Sequence, residues 1–194
     1  MKKKNVMGTP TVAQLESELN RVRYRKRFRV VMRSTVYTLV TVAAVAVLVA
    51  TLWLPVLQIY GTSMTPTFHD GEIVFSLKDS TAHTGDIVAF YYNNKILVKR
   101  VIAASGEWVD MAEDGTVYVN GEELAEPYLD EKAYGESNIV YPYQVPESKL
   151  FVMGDHRATS VDSRNAAVGC VSEEQMVGRI LFRVWPLNRF GRVE

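Results

Sequence analysis

The sequence predicts a mainly β protein, with a single transmembrane helix near the amino terminus followed by an all-β domain. First, residues 34–68 contain no charged side chain, and within them residues 37–57 are apolar enough and long enough to cross the bilayer core, which takes about 20 residues. Second, residues 1–33 hold ten Lys or Arg against two Glu. Third, the rest of the chain alternates short apolar runs with Asn, Gly and Pro, which is typical of strands and turns.

These observations divide the chain into a basic arm (1–33), a transmembrane anchor (34–57) and a β-rich domain (58–194). The arm is either a short amphipathic helix on an anionic membrane surface, as the spacing of Val12, Leu15, Leu19 and Val22 suggests, or a disordered basic tail. Basic residues before the span and none soon after it predict a cytoplasmic amino terminus. The β-rich domain then lies outside the cytoplasm, on a protein that crosses the cell membrane once.

Two other interpretations of the apolar segment fit less well. A buried core helix would not need the basic arm, and a removable signal peptide has a shorter leader and a shorter apolar run. The arm carries a net charge of +8 and residues 34–194 carry −8. Because the basic residues lie directly before an apolar segment, they favour a lipid bilayer over nucleic acid as a partner. The three histidines have no metal-ligand spacing, so we expect neither metal nor cofactor.

Six segments of the outer part are predicted strands: 72–77, 86–92, 95–103, 116–120, 150–153 and 178–185. Asn93-Asn94 and Asn120-Gly121 are predicted hairpin turns. Residues 122–147 show a weak, loop-like pattern. We also expect apolar residues between Val74 and Tyr92 to offer a membrane-facing surface.

Ser63 is the candidate nucleophile, in the sequence Gly-Thr-Ser-Met-Thr-Pro-Thr-Phe at residues 61–68. Neither of two common signals for an activated serine, G-x-S-x-G or S-x-x-K, is present, but a lysine from a separate strand remains possible. Lys99 lies in the apolar run of residues 96–102. Burial there would lower the pKa of its ammonium, so that a neutral amine could take the proton of Ser63. The alternative is that Lys99 protects an edge strand and reaches solvent.

A third stretch, residues 154–164, packs two acids, two arginines and two serines behind an apolar strand. Such a density of polar groups suits a loop held by ion pairs and by hydrogen bonds from side chain to backbone. Taken alone, the same stretch is better described as a solvated polar turn.

Together, the three stretches resemble the bacterial type I signal peptidases of the Gram-positive-like branch. The family's serine box S/G-x-S-M-x-P-T-L corresponds to residues 61–68, and its lysine box K-R-V-I/V-A to residues 99–103. The late box G-D-N-x-x-x-S-x-D-S-R matches residues 154–164 except at His156. The resemblance covers about residues 35–185. It implies a serine endopeptidase that removes signal peptides from exported preproteins, with no cofactor, near the protein-export translocon.

The resemblance also implies residue roles. Ser63 and Lys99 are the catalytic dyad, and Ser160 hydrogen-bonds and orients the lysine. The oxyanion is bound by the backbone N–H of Ser63. Some members add a serine hydroxyl where this chain has Gly61, so the second donor is open between Thr62 and water. The family's structural ion pairs correspond to Arg100 with Asp155 and to Asp162 with Arg164.

Ser63 follows the span by about nine residues, so it lies within roughly 30 Å of the span's end. An extended substrate could pair with an exposed strand edge, while small pockets select Ala-x-Ala-type sequences. We assign the walls to the strand that leads into Ser63, residues 57–60 with Ile59 and Tyr60, and to a strand within residues 72–90. Met64 is expected near the lysine. His156 either keeps the loop contact of the family's Asn or titrates near neutral pH.

Three rivals remain at this point. A self-cleaving Ser-Lys regulator would need a DNA-binding domain, for which the arm is too short. A sortase-like transpeptidase would use Cys170, the single cysteine. A membrane-tethered β module could bind exported chains without cutting them.

Overall fold

A computed structural model describes residues 11–53, 55–78 and 81–193. It divides into a helical unit up to Val49 and a second unit from Ala50 onwards. One helix, α1, covers Val12–Trp53, so it makes up the described part of the first unit after Thr11 and its last four residues belong to the second. Thr11 caps it, because its N–H bonds to Oε1 of Gln14 at 3.0 Å and its carbonyl accepts from the N–H of Gln14.

Helix α1 contains the described part of the basic arm and most of the predicted span. Residues 12–33 are therefore helical, which answers the question of a disordered tail for those residues; residues 1–10 lie outside the described residues. By length and composition the helix could cross a membrane. It ends at Trp53, four residues before the predicted end of the span at residue 57. Pro55 lacks an N–H and disfavours a helical residue before it, and Val56 already belongs to a strand.

The second unit consists of short antiparallel strands in two sheets. The larger sheet has the order β1-β2-β11-β3-β4-β9-β10, with β12 also paired to β11, and the smaller has the order β7-β6-β5-β8. The strands are β1 Val56–Gln58, β2 Ile73–Leu77, β3 Ile87–Tyr92, β4 Lys95–Ala103, β5 Trp108–Met111, β6 Val117–Val119, β7 Glu122–Glu123, β8 Tyr143–Gln144, β9 Lys149–Met153, β10 Val171–Ser172, β11 Met176–Trp185 and β12 Gly191–Arg192.

All six predicted strands are confirmed, and β4 has the predicted bounds. Both predicted hairpin turns have two successive residues with positive φ, at Asn93 (44°) and Asn94 (61°) and at Asn120 (53°) and Gly121 (84°). This conformation matches the type I′ turn that suits the twist of a hairpin. Strand β1 overlaps the strand expected at residues 57–60. The sequence prediction missed β5 and the two-residue strands, which are too short to show a clear period.

The expected membrane-facing surface between Val74 and Tyr92 is wrong. Val74 and the first four residues of β3 are buried. Val74 and Ile87 pack in one hydrophobic cluster, and Val88 and Phe90 pack in another. The large exposed apolar side chains of this unit include Trp185 and, after β11, Leu187 and Phe190.

Three hydrophobic clusters form the core. One of them lies under the loop that follows β1 and contains Ile59, Met64, Phe68, Val74, Ile87 and Ile180. The loop that carries Ser63 therefore sits on a packed apolar base, anchored through buried Met64 and Phe68.

Candidate active site

Ser63 and Lys99 meet although 36 residues separate them in the sequence. Ser63 is half-buried in the loop after β1, and Lys99 lies in the middle of β4. Lys99 Nζ donates a hydrogen bond to Ser63 Oγ at 2.7 Å. The two side chains are therefore close enough for direct proton transfer.

Lys99 is buried, with 2% of its surface exposed. Strand β4 pairs with β3 on one side and with β9 on the other, so Lys99 is not on an edge strand and the gatekeeper alternative is wrong. Burial lowers the pKa of Lys99 from 10.5 to about 8. The charges of Asp162 and Asp155 oppose this shift and that of Arg164 assists it.

The backbone of Ser63 is held by the late loop, residues 154–164. The His156 N–H donates to the Ser63 carbonyl at 3.1 Å. Gly154 packs so closely that a Cβ there would lie 2.5 Å from the Ser63 carbonyl oxygen and 2.2 Å from Ser160 Oγ. Within the described residues, the Ser63 N–H makes no hydrogen bond, which leaves it available to a ligand.

Two buried ion pairs border the dyad. Nε and Nη2 of Arg100 reach Oδ1 and Oδ2 of Asp155 at 2.9 and 2.8 Å. Nε and Nη2 of Arg164 reach Oδ1 and Oδ2 of Asp162 at 2.8 and 2.9 Å. Asp162 also accepts from the Gly154 N–H at 2.9 Å. All four charged side chains are bidentate partners with almost no exposure. The Arg100–Asp155 pair fixes the loop against β4, the Asp162–Arg164 pair braces the loop itself, and neither adds net charge.

Ser160 is buried beside Gly154, but it does not bond the lysine in this structure. Ser160 Oγ has no hydrogen-bond partner among the described residues. The hydrogen bond to Lys99 that the resemblance implies is therefore absent here, and the lysine bonds Ser63 instead.

The candidate oxyanion residues, Gly61 and Thr62, differ in whether their donor groups are already hydrogen-bonded. The Gly61 N–H is already bound to Asp70 Oδ1 at 2.7 Å. Thr62 is exposed, and its carbonyl accepts from both N and Oγ1 of Thr65. Its hydroxyl makes no hydrogen bond to any other described residue.

The three predicted substrate-binding residues differ in how exposed they are. Ile59 and Met64 are 4% and 2% exposed and belong to the core cluster under the loop, whereas Tyr60 is 77% exposed. Because Ile59 and Met64 are buried, they could only form the floor of a substrate pocket. Of the three residues, only Tyr60 has a side chain that a substrate could reach directly.

His156 contributes to the site through its backbone. Its side chain is exposed, and its Nδ1 pairs with Thr159 Oγ1 at 2.7 Å. The loop contact with Ser63 is thus made by a group that every residue type except proline possesses.

The sequence prediction missed residues that support the site from a distance. Thr67 Oγ1 donates to Asp155 Oδ2 at 2.5 Å, and the Arg100 guanidinium stacks 3.7 Å from the centre of the Tyr128 ring. A third buried pair joins Arg157 to Glu126, a residue of the segment that shows a weak pattern. Thr67 was visible in the serine box, but Tyr128 and Glu126 gave no local signal.

Cys170 does not have the surroundings of a reactive thiol. It is buried, burial raises its pKa, and its sulfur lies 3.9 Å from the Tyr143 hydroxyl. Among the described residues, no group of three His, Cys, Asp or Glu side chains could hold a metal ion.

Comparisons with known proteins show the family to which this chain is similar. The family model "Signal peptidase, peptidase S26" matches residues 32–185. A signal peptidase I from Bacillus licheniformis is 38% identical over 150 residues, covering 69% of this chain and 78% of the relative. A signal peptidase IB from Staphylococcus aureus is 36% identical over 157 residues, covering 68% and 78%. The crystal structure of a signal peptidase I from Enterococcus faecalis is 32% identical and covers 52% of this chain and 97% of that chain, with a TM-score of 0.44.

Proposed function

This chain belongs to the signal peptidase family, peptidase S26, and on that premise we propose that it cuts preproteins by a Ser-Lys dyad formed by Ser63 and Lys99. Membership makes it a serine peptidase that removes signal peptides, with signal-peptide-bearing preproteins as substrates. The residue roles, the preference for small residues and the orientation in the membrane are the proposal.

The observation that carries the dyad is the 2.7 Å contact between Lys99 Nζ and Ser63 Oγ, made by a lysine whose pKa burial lowers to about 8. A serine hydroxyl is a poor nucleophile until a base takes its proton, and a charged ammonium cannot be that base. With a pKa near 8, about a tenth of the lysines are neutral at pH 7.

The chemistry proceeds in two halves. Neutral Lys99 accepts the Ser63 proton while Oγ attacks the scissile carbonyl carbon, and the tetrahedral intermediate carries the negative charge on the former carbonyl oxygen. The C–N bond then breaks, and the lysine gives its proton to the leaving amine, which becomes the new amino terminus of the mature protein. In the second half, Lys99 takes a proton from water as the water oxygen attacks the ester carbon. The C–Oγ bond then breaks, the signal peptide leaves with a new carboxyl terminus, and the proton returns from Lys99 to Ser63 Oγ.

The oxyanion needs donors at the point where charge develops. The free N–H of Ser63 supplies the first. The second is the Thr62 hydroxyl or a water molecule, because the Gly61 N–H is engaged by Asp70.

The small-residue preference follows from the edge beside the nucleophile. Strand β1 pairs with β2 on one side only, so it offers an edge to an extended substrate, whereas β2 and β3 are interior and offer none. Main-chain pairing along β1 would bind the signal peptide's end with little sequence demand. Ile59 and Met64 close the space below this edge, which leaves room for side chains such as alanine.

The apolar helix suggests anchoring in a membrane. We place the basic arm in the cytoplasm and the peptidase domain on the outer side, in contact with the bilayer through a single span. Substrates that emerge from the protein-export translocon would meet the site there, so we also propose the translocon as a neighbour.

A cleavage assay tests this function. The full chain in detergent is incubated with a preprotein, and the amino terminus of the product is sequenced. We expect Ser63→Ala and Lys99→Arg to abolish cleavage, since arginine stays charged. Lys95→Arg, on the same strand but exposed, is the matched control and should cleave normally.

Activity retained in Lys99→Arg would remove the neutral base from the mechanism. Cleavage lost on alkylation of Cys170 would favour the transpeptidase rival. Wild-type protein that binds preproteins without cutting them would leave only the tethered β module.

A further inference from the structure

The hydroxyl of Thr67 joins the serine loop to the ion pair beside the lysine. Thr67 Oγ1 donates to Asp155 Oδ2 at 2.5 Å and accepts from Arg100 Nη2 at 3.2 Å. Asp155 and Arg100 are 2% exposed, so this three-way contact is shielded from water. Each partner is adjacent in sequence to a residue at the dyad: Arg100 follows Lys99, and Asp155 precedes His156.

The serine loop is thereby fixed at two points to the same short segment. At one end, the His156 N–H holds the Ser63 carbonyl; four residues later, the Asp155 carboxylate holds the Thr67 hydroxyl. Arg100 links this segment to β4, which carries the lysine. The position of Ser63 Oγ relative to Lys99 Nζ therefore depends on contacts that converge on Asp155.

We propose that Thr67 is a positioning residue for the reaction: its hydroxyl sets the register between the loop of Ser63 and the strand of Lys99. This inference rests on the proposed Ser-Lys dyad. Thr67 touches neither substrate nor reacting atoms, so it acts through the distance between nucleophile and base.

Thr67 can affect the position of Ser63 because few hydrogen bonds hold its loop to Asp155. Among the described residues, Asp155 Oδ2 receives hydrogen bonds only from Arg100 and Thr67. Valine has the shape of threonine but no hydroxyl, so in Thr67→Val the side chain packs and the link is lost. The Arg100–Asp155 pair remains intact, which keeps the fold while the loop gains freedom. A misplacement of about 1 Å between reacting groups can cost about 100-fold in rate.

The experiment compares Thr67→Val, Thr67→Ser and Thr65→Val as full chains in detergent, with a preprotein or a synthetic signal-peptide substrate. We expect Thr67→Val to lower kcat about 10- to 100-fold with little change in KM, because substrate contacts are untouched. Thr67→Ser restores the hydroxyl and should recover most of kcat. Thr65→Val is the matched control, since among the described residues the Thr65 hydroxyl bonds only the Thr62 carbonyl of its own loop.

Thermal unfolding of each variant separates positioning from folding. If Thr67→Val does not fold, Thr67→Ala makes the same test without a branched side chain. The proposal is overturned if the folded variant keeps wild-type kcat, if KM alone changes, or if Thr67→Ser fails to recover activity. Wild-type cleavage activity in the Ser63→Ala variant would instead overturn the dyad. Failure of the Thr67 proposal and failure of the dyad are therefore distinguishable.

Discussion

The state of ionisation of Lys99 controls the proposed chemistry, so its titration is the sharpest test of the mechanism. With a pKa of about 8 rather than 10.5, the neutral fraction at pH 7 is about 300-fold larger than in a solvated lysine. We expect kcat/KM of the wild-type enzyme to rise about tenfold per pH unit up to pH 8 and to level off above it.

The same pKa shift has a consequence for stability. Because the folded-state pKa is lower, the unfolded chain binds more protons between pH 8 and 10.5, so the free energy of unfolding rises with pH in that window. Below pH 8 the native state carries the full free-energy cost of keeping the charged ammonium buried, about 3 kcal/mol for a pKa shift of this size. Lys99→Met removes the titrating group at similar volume. We therefore expect the inactive variant to be more stable than wild type at pH 7, with Tm higher by about 5–10 °C.

The measurement is thermal unfolding of both full-length chains in the same detergent at pH 7 and near pH 10.5, beside the cleavage rate from pH 6 to 10. The difference in Tm should shrink as wild-type Lys99 loses its proton. Lys95→Met, on an exposed part of the same strand, should show no such dependence on pH. A Lys99→Met variant less stable than wild type at pH 7, or a rate that does not fall below pH 8, would refute a neutral buried lysine.

Three further changes probe the surroundings of the dyad. Gly154→Ala should lower kcat at least 100-fold, because its Cβ would press on the nucleophile's carbonyl oxygen, whereas Gly191→Ala, which meets no atom within 4 Å, should leave the cleavage rate unchanged. Asp155→Asn should lower the free energy of unfolding by about 3–5 kcal/mol in a denaturation experiment, because it strands the charge of Arg100. Cys170→Ala should cleave preproteins at the wild-type rate, and a large loss would reopen the thiol mechanism.

The elements that the sequence predicts well are those with a strong local signal. Strand β4 contains the mostly apolar run of residues 96–102 and follows a turn of two asparagines, and both its ends are as predicted. Strand β5, by contrast, has only four residues and is held by pairing with β6 and β8, which no local pattern reveals. The missed strands are thus those fixed by tertiary pairing rather than by their own residues.

The same distinction applies to the site. Residues within the stretches 61–68, 99–103 and 154–164 could be assigned candidate roles from the family resemblance. The structure brings five of them into one region: Ser63, Lys99, Arg100, Asp155 and Ser160. Tyr128 and Glu126 come from a segment whose structure is mostly loop, and they matter because they stack on or pair with a buried arginine. Burial of an arginine is a property of the fold, so the need for these partners does not appear in the sequence.

A neutral lysine base requires that each neighbouring carboxylate be paired with a cation. Asp162 and Asp155 each raise the pKa of Lys99, and an unpaired carboxylate beside the lysine would hold its proton. Arg164 and Arg100 bind these two carboxylates bidentately, and Arg164 also lowers the pKa of the lysine directly. Burial can then dominate and favour the neutral amine. The two buried ion pairs therefore do more than hold the loop: by compensating the acids, they leave desolvation as the effect that decides whether Lys99 can act as a base.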